Sequence, residues 1–489
     1  MDWIRRGLNT SPLQRMKPFR SNDVYSATLP LHYVSRFLGL ASYSYKIHPS
    51  TNPVGPIRNR NNSDSCGVEK EFQIETSKCA ILYTGVMLVA LLIWLVYSLV
   101  WRILYEFSDV KVTYAVTQIT TMCLLASTTV ASLGLELTSN RNRLKKVMLK
   151  LNQVDKILMP DTNNVHKKMS GLLLLELVVF VFLLLARHGY ELWCRGGNAY
   201  INLINAIIRL VIHFMSTVVL IQFVSFTHIL KQRFRCVNRQ LSLFGDNDDR
   251  GTSLGIVKVE FLQQKLGVAA GQDTVVVRHA DDIPSSNSLG HASTATPIFL
   301  SDAETGHLSS VSSSSKFSSQ SRPQDVANIH TLRGVHTILH DVGGLVNSVY
   351  GFQLLLATTY IFTSIVKYFH MVMISNVREQ PGQPSNFRVD GILPLMCVVS
   401  IHIASVLWVT ASCNSACCEA FRTATVVNKL LLIQALSSDV SAELERFSQQ
   451  LLHSKLQFTA FGFFSLDFTF LYGFVGGATT YIVILLQFQ

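Results

Sequence analysis

Arg209 and His213 stand four residues apart inside an apolar run, so a helix places both on one face. A guanidinium within hydrocarbon is expensive, and by default it marks a functional site or a buried partner. From a helix start near Tyr200, Arg209 lies about 14 Å along the axis at 1.5 Å per residue. A later apolar run carries Tyr360, Lys367, Tyr368 and His370 towards one end, and the next carries His402 and Trp408. Brought together, these groups would line a cavity that holds a small polar ligand by hydrogen bonds and an aromatic face. In the competing reading Lys367 and His370 snorkel to the interface, and Arg209 pairs with a buried acceptor.

A second constellation is metal-like. His336 and His340 are spaced i, i+4 with Asp341 adjacent, which can present ligands to zinc and would suit a seven-span zinc-dependent membrane hydrolase. A third strong ligand on a facing helix is hard to nominate, because His213 and His402 fall nearer mid-membrane. A solvated helix face therefore accounts for the pair better, and no metal or other cofactor is assigned. Nothing resembles a nucleotide loop or a hydrolase nucleophile elbow, so an enzyme is not expected. An Asp-Arg-Tyr-like triplet after the third apolar run and an Asn-Pro-x-x-Tyr in the seventh are both missing, which argues against a G-protein-coupled receptor.

A third pattern closes the sequence. In Thr480-Tyr-Ile-Val-Ile-Leu-Leu-Gln-Phe-Gln489 one amide, Gln487, sits among bulky hydrophobics. Helical spacing puts Thr480 and Ile484 on a face with Gln487, and Tyr481 and Leu485 on a face with Phe488. A semi-polar stripe of that kind suits a water path or a symmetry axis, since a polar group in lipid must face protein or water.

The elements that position these residues are membrane spans. Of 489 residues, 48% are hydrophobic and only 15% charged, well below the roughly 25% charged content of soluble domains. Seven apolar blocks reach about the 20 residues that a bilayer crossing needs: 79–101, 113–137, 169–186, 201–229, 346–375, 391–413 and 466–488. The expected fold is an all-α membrane protein of seven transmembrane helices. The net charge of +11 is an orientation signal and does not point to nucleic acid. Alternate segments, starting with the N-terminal one, hold 34 Lys and Arg against 6 in the other three loops. The positive-inside rule then puts the N-terminus in the cytoplasm and the C-terminus outside.

The segments outside the spans read as follows. Residues 1–78 form a cytoplasmic N-terminal region without a signal peptide, with an amphipathic interfacial helix near 29–40 and a loop-like Asn/Pro/Ser-rich stretch over 47–77. Spans one to four occupy 79–230. The long loop 231–345 has helical flanks at 230–244 and 326–345 and a middle expected to be disordered, with ten serines in 301–321. Spans five and six occupy 346–413. Residues 414–465 are amphipathic, with Leu430, Leu431, Ile433, Leu436, Leu444, Phe447 and Leu451 at helical spacing, and require a covering partner. Span seven fills 466–489. The sequon Asn61-Asn-Ser63 falls on the cytoplasmic side and should stay unmodified, and with Cys194 alone in an outer loop no disulfide framework is expected.

The Thr480-Tyr481 … Gln487-Phe488 pattern resembles the motif that closes insect gustatory receptors. The segment leading into it, Ala460-Phe-Gly-Phe-Phe-Ser-Leu-Asp467 and Gly476-Gly-Ala-Thr479, is similar to that family too. The resemblance implies a gustatory receptor in the plasma membrane that acts as a ligand-gated, non-selective cation channel. It further implies a homotetramer, or an assembly with related receptor subunits, joined through cytoplasmic anchor helices. On this reading Gln487 and Phe488 sit at a constriction of a pore lined by the seventh helix, with Thr480, Tyr481 and Ile484 beside it. The ligand would be a small polar tastant, a sugar such as fructose or an amino acid.

Overall fold

The computed structural model describes residues 24–49, 70–106, 112–158, 163–194, 199–248, 323–377, 386–433 and 436–487. The Ser-rich stretch, the sequon and Phe488 all lie outside the described residues. One compact unit comprises residues 1–243 and 321–489; the remainder, 244–320, is described only as far as Asp248.

Ten helices are seen among the described residues. They are α1 (Val24–Phe37), α2 (Lys78–Trp101), α3 (Val112–Leu135), α4 (Arg141–Leu158), α5 (Asn163–Cys194), α6 (Ala199–Asp248), α7 (Pro323–Val377), α8 (Asn386–Leu431), α9 (Ser438–His453) and α10 (Phe468–Gln487). Seven helical stretches, one in each expected block, are long and apolar enough to cross a membrane. The molecule is thus a mostly helical seven-span protein.

The spans differ in how much of each is covered. On α2 only Thr84, Leu91 and Ser98 are buried, a single stripe repeating every seven residues, while Leu82, Val86, Val89, Ile93 and Val96 are exposed. That is the pattern of a peripheral helix whose remaining surface meets lipid. In contrast, α6 and α7 form the centre: Met215, Val218, Phe223, Val224, Ile229, Leu339, Val346 and Leu354 are fully buried.

At the end to which α6 and α7 extend, charge replaces lipid-like packing. Arg233 donates from Nε and Nη2 to the two carboxylate oxygens of Asp155, both at 2.9 Å, with the arginine side chain fully buried. Arg235 and Asn238 on α6 hold Glu419 on α8. Arg333 on α7 meets Glu443 on α9 at 3.1 Å. The amphipathic stretch finds its cover within the chain: Leu430, Val440, Leu444 and Phe447 are buried, and the Phe447 ring lies against His336 of α7.

Two local expectations change. The stretch 47–77, read as a loop, contributes most of an antiparallel hairpin of Tyr43–Pro49 (β1) with Lys70–Thr76 (β2), in register from Tyr43 opposite Thr76. The cue was the alternation of Phe72 and Ile74 with polar residues, a period-two signal overshadowed by the turn formers between the strands. His336, expected on a solvated face, is buried between the rings of Phe234 and Phe447, and Asp341 is drawn off to Lys150 at 2.7 Å. In addition, α1 presents a buried side to the bundle: Ser35 Oγ accepts from Gln222 Nε2 on α6 at 2.6 Å, and burial holds the His32 imidazole down at about 4.

A tight turn leads into the last span. Thr459–Ala460 (β3) pairs with Phe464–Ser465 (β4) around Phe461 and Gly462, both with positive φ. The turn is seated on α7: the Thr459 amide donates to Asn347 Oδ1 at 2.8 Å, and a side chain at Gly351 would meet the Phe461 amide nitrogen at 3.2 Å. Asp467 then caps α10, accepting from the amides of Thr469 and Phe470.

Candidate ligand cavity and pore helix

The polar residues of the spans converge where α5, α6, α7 and α8 meet. Phe180, Leu184 and Arg187 of α5, His213 and Ser216 of α6, Tyr360 and Ile361 of α7, and His402 and Ser405 of α8 are among those lining a cavity of about 560 Å³, its open mouth included. Each helix contributes at helical spacing, for example His213, Ser216, Thr217 and Leu220 on α6. The rings form a chain. Tyr360 lies 5.8 Å from His213 and 5.6 Å from His402, and the His213 ring is 5.1 Å from that of His188. The Tyr360 hydroxyl is 3.5 Å from His213 Nδ1. His402 is 6% exposed, and its Nε2 has no hydrogen-bond partner within the protein.

The sequence candidates separate into those at the cavity and those around it. His213, Tyr360 and His402 line it. Arg209, one turn along α6, does not; it is half-buried. The guanidinium at the cavity belongs to Arg187, whose Nη2 donates to the Tyr368 hydroxyl at 3.0 Å. Lys367 is one step removed: its Nζ sits 4.3 Å from the centroid of the Tyr368 ring and donates to Gln118 Oε1 at 3.5 Å. His370 is buried near the far end of α7 and faces the Leu485 backbone of α10. Trp408 packs on Phe180 at 5.3 Å and hydrogen-bonds Glu176, below the cavity.

Sequence reasoning placed Arg187 in a loop because it closes the third apolar run. Its signal was the spacing Arg187-His188 after fifteen almost wholly apolar residues, since α5 continues to Cys194 and keeps both within the bundle. Among the described residues no group of three or more His, Cys, Asp or Glu side chains is placed to hold a metal.

The last helix stands at the rim. Only Ala478 of its twenty residues is buried. Its inward contacts are aromatic: Phe362 of α7 meets Phe474 at 5.3 Å and Tyr481 at 5.8 Å, and lies against Gly477. Gly473, Gly476, Thr480, Ile484 and Gln487 share another face, which is exposed, and Thr480 turns its hydroxyl back onto the Gly476 carbonyl.

A family model for the 7tm chemosensory receptors matches residues 28–266 and 301–489. The chain is similar to Drosophila melanogaster proteins called gustatory receptor 28b (27% identity over 154 residues, 32% of this chain and 33% of that protein) and gustatory receptor 2a (29% over 169 residues, 30% and 37%). These matches span about a third of each relative's length. The fold is similar to that of the insect olfactory receptor OR5 from Machilis hrabei, with a TM-score of 0.52 at 10% identity, over 94% of this chain and 98% of that one.

Proposed function

Because the chain belongs to the 7tm chemosensory receptor family, we propose that it is a gustatory receptor that works as a ligand-gated, non-selective cation channel opened by a small polar tastant, a sugar or an amino acid. The observation that carries this reading is the open-mouthed cavity at Arg187, His213, Tyr360 and His402, combined with a seventh helix whose small and polar face is left uncovered. A cavity lined by donors and aromatic rings selects a ligand with oxygen or nitrogen acceptors. The uncovered face of α10 suits a shared axis in a homotetramer, or in an assembly with related subunits, where Gly473, Gly476 and Thr480 leave room for water and Gln487 supplies an amide ring. No carboxylate occurs from Phe468 to Gln487, so selection among cations should be weak. With the N-terminus cytoplasmic, the C-terminal carbonyls of α10 point outward and favour cations at the mouth.

Coupling has a physical route. Both α7 and α8 line the cavity; α7 also carries Phe362 against α10 and Asn347 under the turn before it. A ligand that draws α7 and α8 together would shift the packing of α10 by differential contacts in the two states. The test is a panel of sugars and amino acids applied to cells expressing this chain alone, recorded as whole-cell current. Surface protein without ligand-evoked current from any of them would defeat the proposal.

The zinc-hydrolase alternative falls away, because members of this family are chemoreceptors and not enzymes. The geometry agrees, with His336 enclosed by rings and Asp341 paired with Lys150.

A further inference from the structure

The start of α4 concentrates positive charge. Within residues 141–150, Arg141, Arg143, Lys145, Lys146 and Lys150 are basic and none is acidic. Leu144, Val147, Met148 and Leu151 take the buried face, while Arg143, Lys145 and Lys146 are exposed. Like charges three and four residues apart destabilise a helix, so this pattern calls for a counter-charge. The neighbouring carboxylates are committed to other groups. Asp155, the only acid of α4, holds Arg233, and Asp341 holds Lys150. Glu136, just upstream, is buried beside Arg141 and accepts from the Ser42 amide and hydroxyl at 2.9 and 2.8 Å. Among the described residues no ion pair is made by Arg143, Lys145 or Lys146.

Packing fixes the depth of these three cations. The second span continues through one wider turn, Glu136–Asn140, directly into α4. There Asn140 Nδ2 donates to the Val349 carbonyl at 3.0 Å and Arg143 Nη1 to the Ser348 carbonyl at 2.9 Å, where the α7 span begins. The end of α1 meets the same boundary: the Tyr83 hydroxyl of α2 donates to the Phe37 carbonyl at 2.7 Å, and the Tyr33 and Phe37 rings stay exposed, as interfacial aromatics do. Counted from residue 137, where the second apolar run ends, Arg143, Lys145 and Lys146 lie about 9–14 Å beyond the hydrocarbon. Headgroups occupy about 5–8 Å of that distance, and the Debye length at physiological salt adds about 8 Å. All three therefore fall within reach of headgroup charge. Lys156, about 28 Å out, does not.

We propose that Arg143, Lys145 and Lys146 form a collar that binds acidic phospholipid headgroups of the cytoplasmic leaflet. Arg143 and Lys146, at i, i+3, share one side of the exposed arc and Lys145 takes the other, so the three meet several headgroups and do not enclose one. The partner is a bilayer surface of singly charged headgroups such as phosphatidylserine, in preference to one polyphosphate held in a pocket. Through Arg143 and Asn140 the collar also bears on α7, which lines the cavity and meets α10 through Phe362. Such a collar needs only the seven-span fold and its orientation, so it stands or falls apart from the channel reading.

The experiment follows thermal unfolding of the purified full-length protein in detergent, titrated with dioctanoyl phosphatidylserine or with dioctanoyl phosphatidylcholine, and needs no current. The serine lipid should stabilise at the lower concentration, and raising salt until the Debye length falls to about 3 Å should suppress that preference. Each surface Lys or Arg contributes about fivefold to attraction for an acidic leaflet, so Lys145→Gln with Lys146→Gln should raise the phosphatidylserine midpoint about 25-fold and leave the phosphatidylcholine curve in place. Lys145→Arg with Lys146→Arg should behave as wild type. Lys156→Gln, about 15 Å further out than Lys146, should shift the midpoint by less than about twofold. Should the double Gln variant fail to fold, the two single Gln variants carry the comparison, at about fivefold each. A serine preference that survives loss of both lysines, or that Lys156→Gln weakens equally, would overturn the proposal. Stabilisation by poly-glutamate without any serine preference would do the same and assign the collar to an acidic protein segment.

Discussion

The Arg233–Asp155 pair offers a sharp test of how the bundle is held, because a second, exposed cation–aspartate pair provides its control. Arg233 is fully buried and Asp155 nearly so, joined by two hydrogen bonds of 2.9 Å, whereas the side chains of Lys150 and Asp341, 2.7 Å apart, are 35% and 52% exposed. Asp155→Asn keeps size but removes the charge, leaving a buried guanidinium without its counter-ion. Breaking a buried pair in this way costs about 3–5 kcal/mol. Asp341→Asn should cost between about 0 and 1 kcal/mol, because water already solvates both partners. With an unfolding entropy of about 2.1 cal/mol/K per residue, a chain of 489 residues loses roughly 3–5 °C of melting temperature in the first case and about 1 °C or less in the second. The assay is loss of the monodisperse peak after heating in detergent, with Arg233→Met/Asp155→Leu as a third variant. That double replacement should recover most of the stability, since an apolar pair of similar volume avoids the desolvation penalty. Equal effects at Asp155 and Asp341 would refute the burial argument. A double variant no better than Asp155→Asn would show that the pair contributes more than its own desolvation.

Other outcomes are open to measurement. Arg187→Gln should raise the half-maximal concentration of a polar agonist by about ten- to a hundredfold, the loss of one charge-assisted hydrogen bond, while Arg209→Gln should shift it by less than about threefold; the reverse order would move the ligand site along α6. His32 titrates near 6.5 when unfolded and near 4 in place, so the folded state resists its protonation and stability falls as pH drops from 6.5 to 4; the difference in unfolding free energy between wild type and His32→Asn should narrow across that window by up to roughly 3 kcal/mol, and a pH-independent difference would contradict the burial. Phe488→Ala should raise current without ligand and Gln487→Ala should alter conductance or ion preference, so unchanged basal current, conductance and selectivity in both, at normal surface levels, would remove this end of α10 from the pore. A tag after Gln489 should be reachable on intact cells and one before Met1 should not; the opposite labelling would invert the orientation drawn from the 34-to-6 partition of basic residues.

What the sequence determined by itself is what depends on local chemistry and length. Seven apolar runs of membrane-crossing length follow from the cost of exposing backbone and charge to hydrocarbon, and the helices lie in each expected block. The closing Thr-Tyr … Gln-Phe pattern was enough to point to the family. The heptad stripe Thr84, Leu91, Ser98 and the run His402, Ser405, Val406, Val409, Thr410 were equally present as periodicities, though only packing shows which face of each helix is covered. Tertiary structure alone decided which of these residues meet at one cavity. The sequence favoured Arg209, inside an apolar run, over Arg187, just past the end of one, and which of them reaches the cavity turns on how α5 and α6 are rotated about their axes, which side chains from four helices set jointly. The same holds for His336, whose i, i+4 spacing with His340 fits a metal as well as a surface; the rings of Phe234 and Phe447, 102 residues upstream and 111 downstream, determine that it is core. Spacing along one helix fixes which residues share a face. It carries no information about what that face meets, because the partner comes from a distant part of the chain.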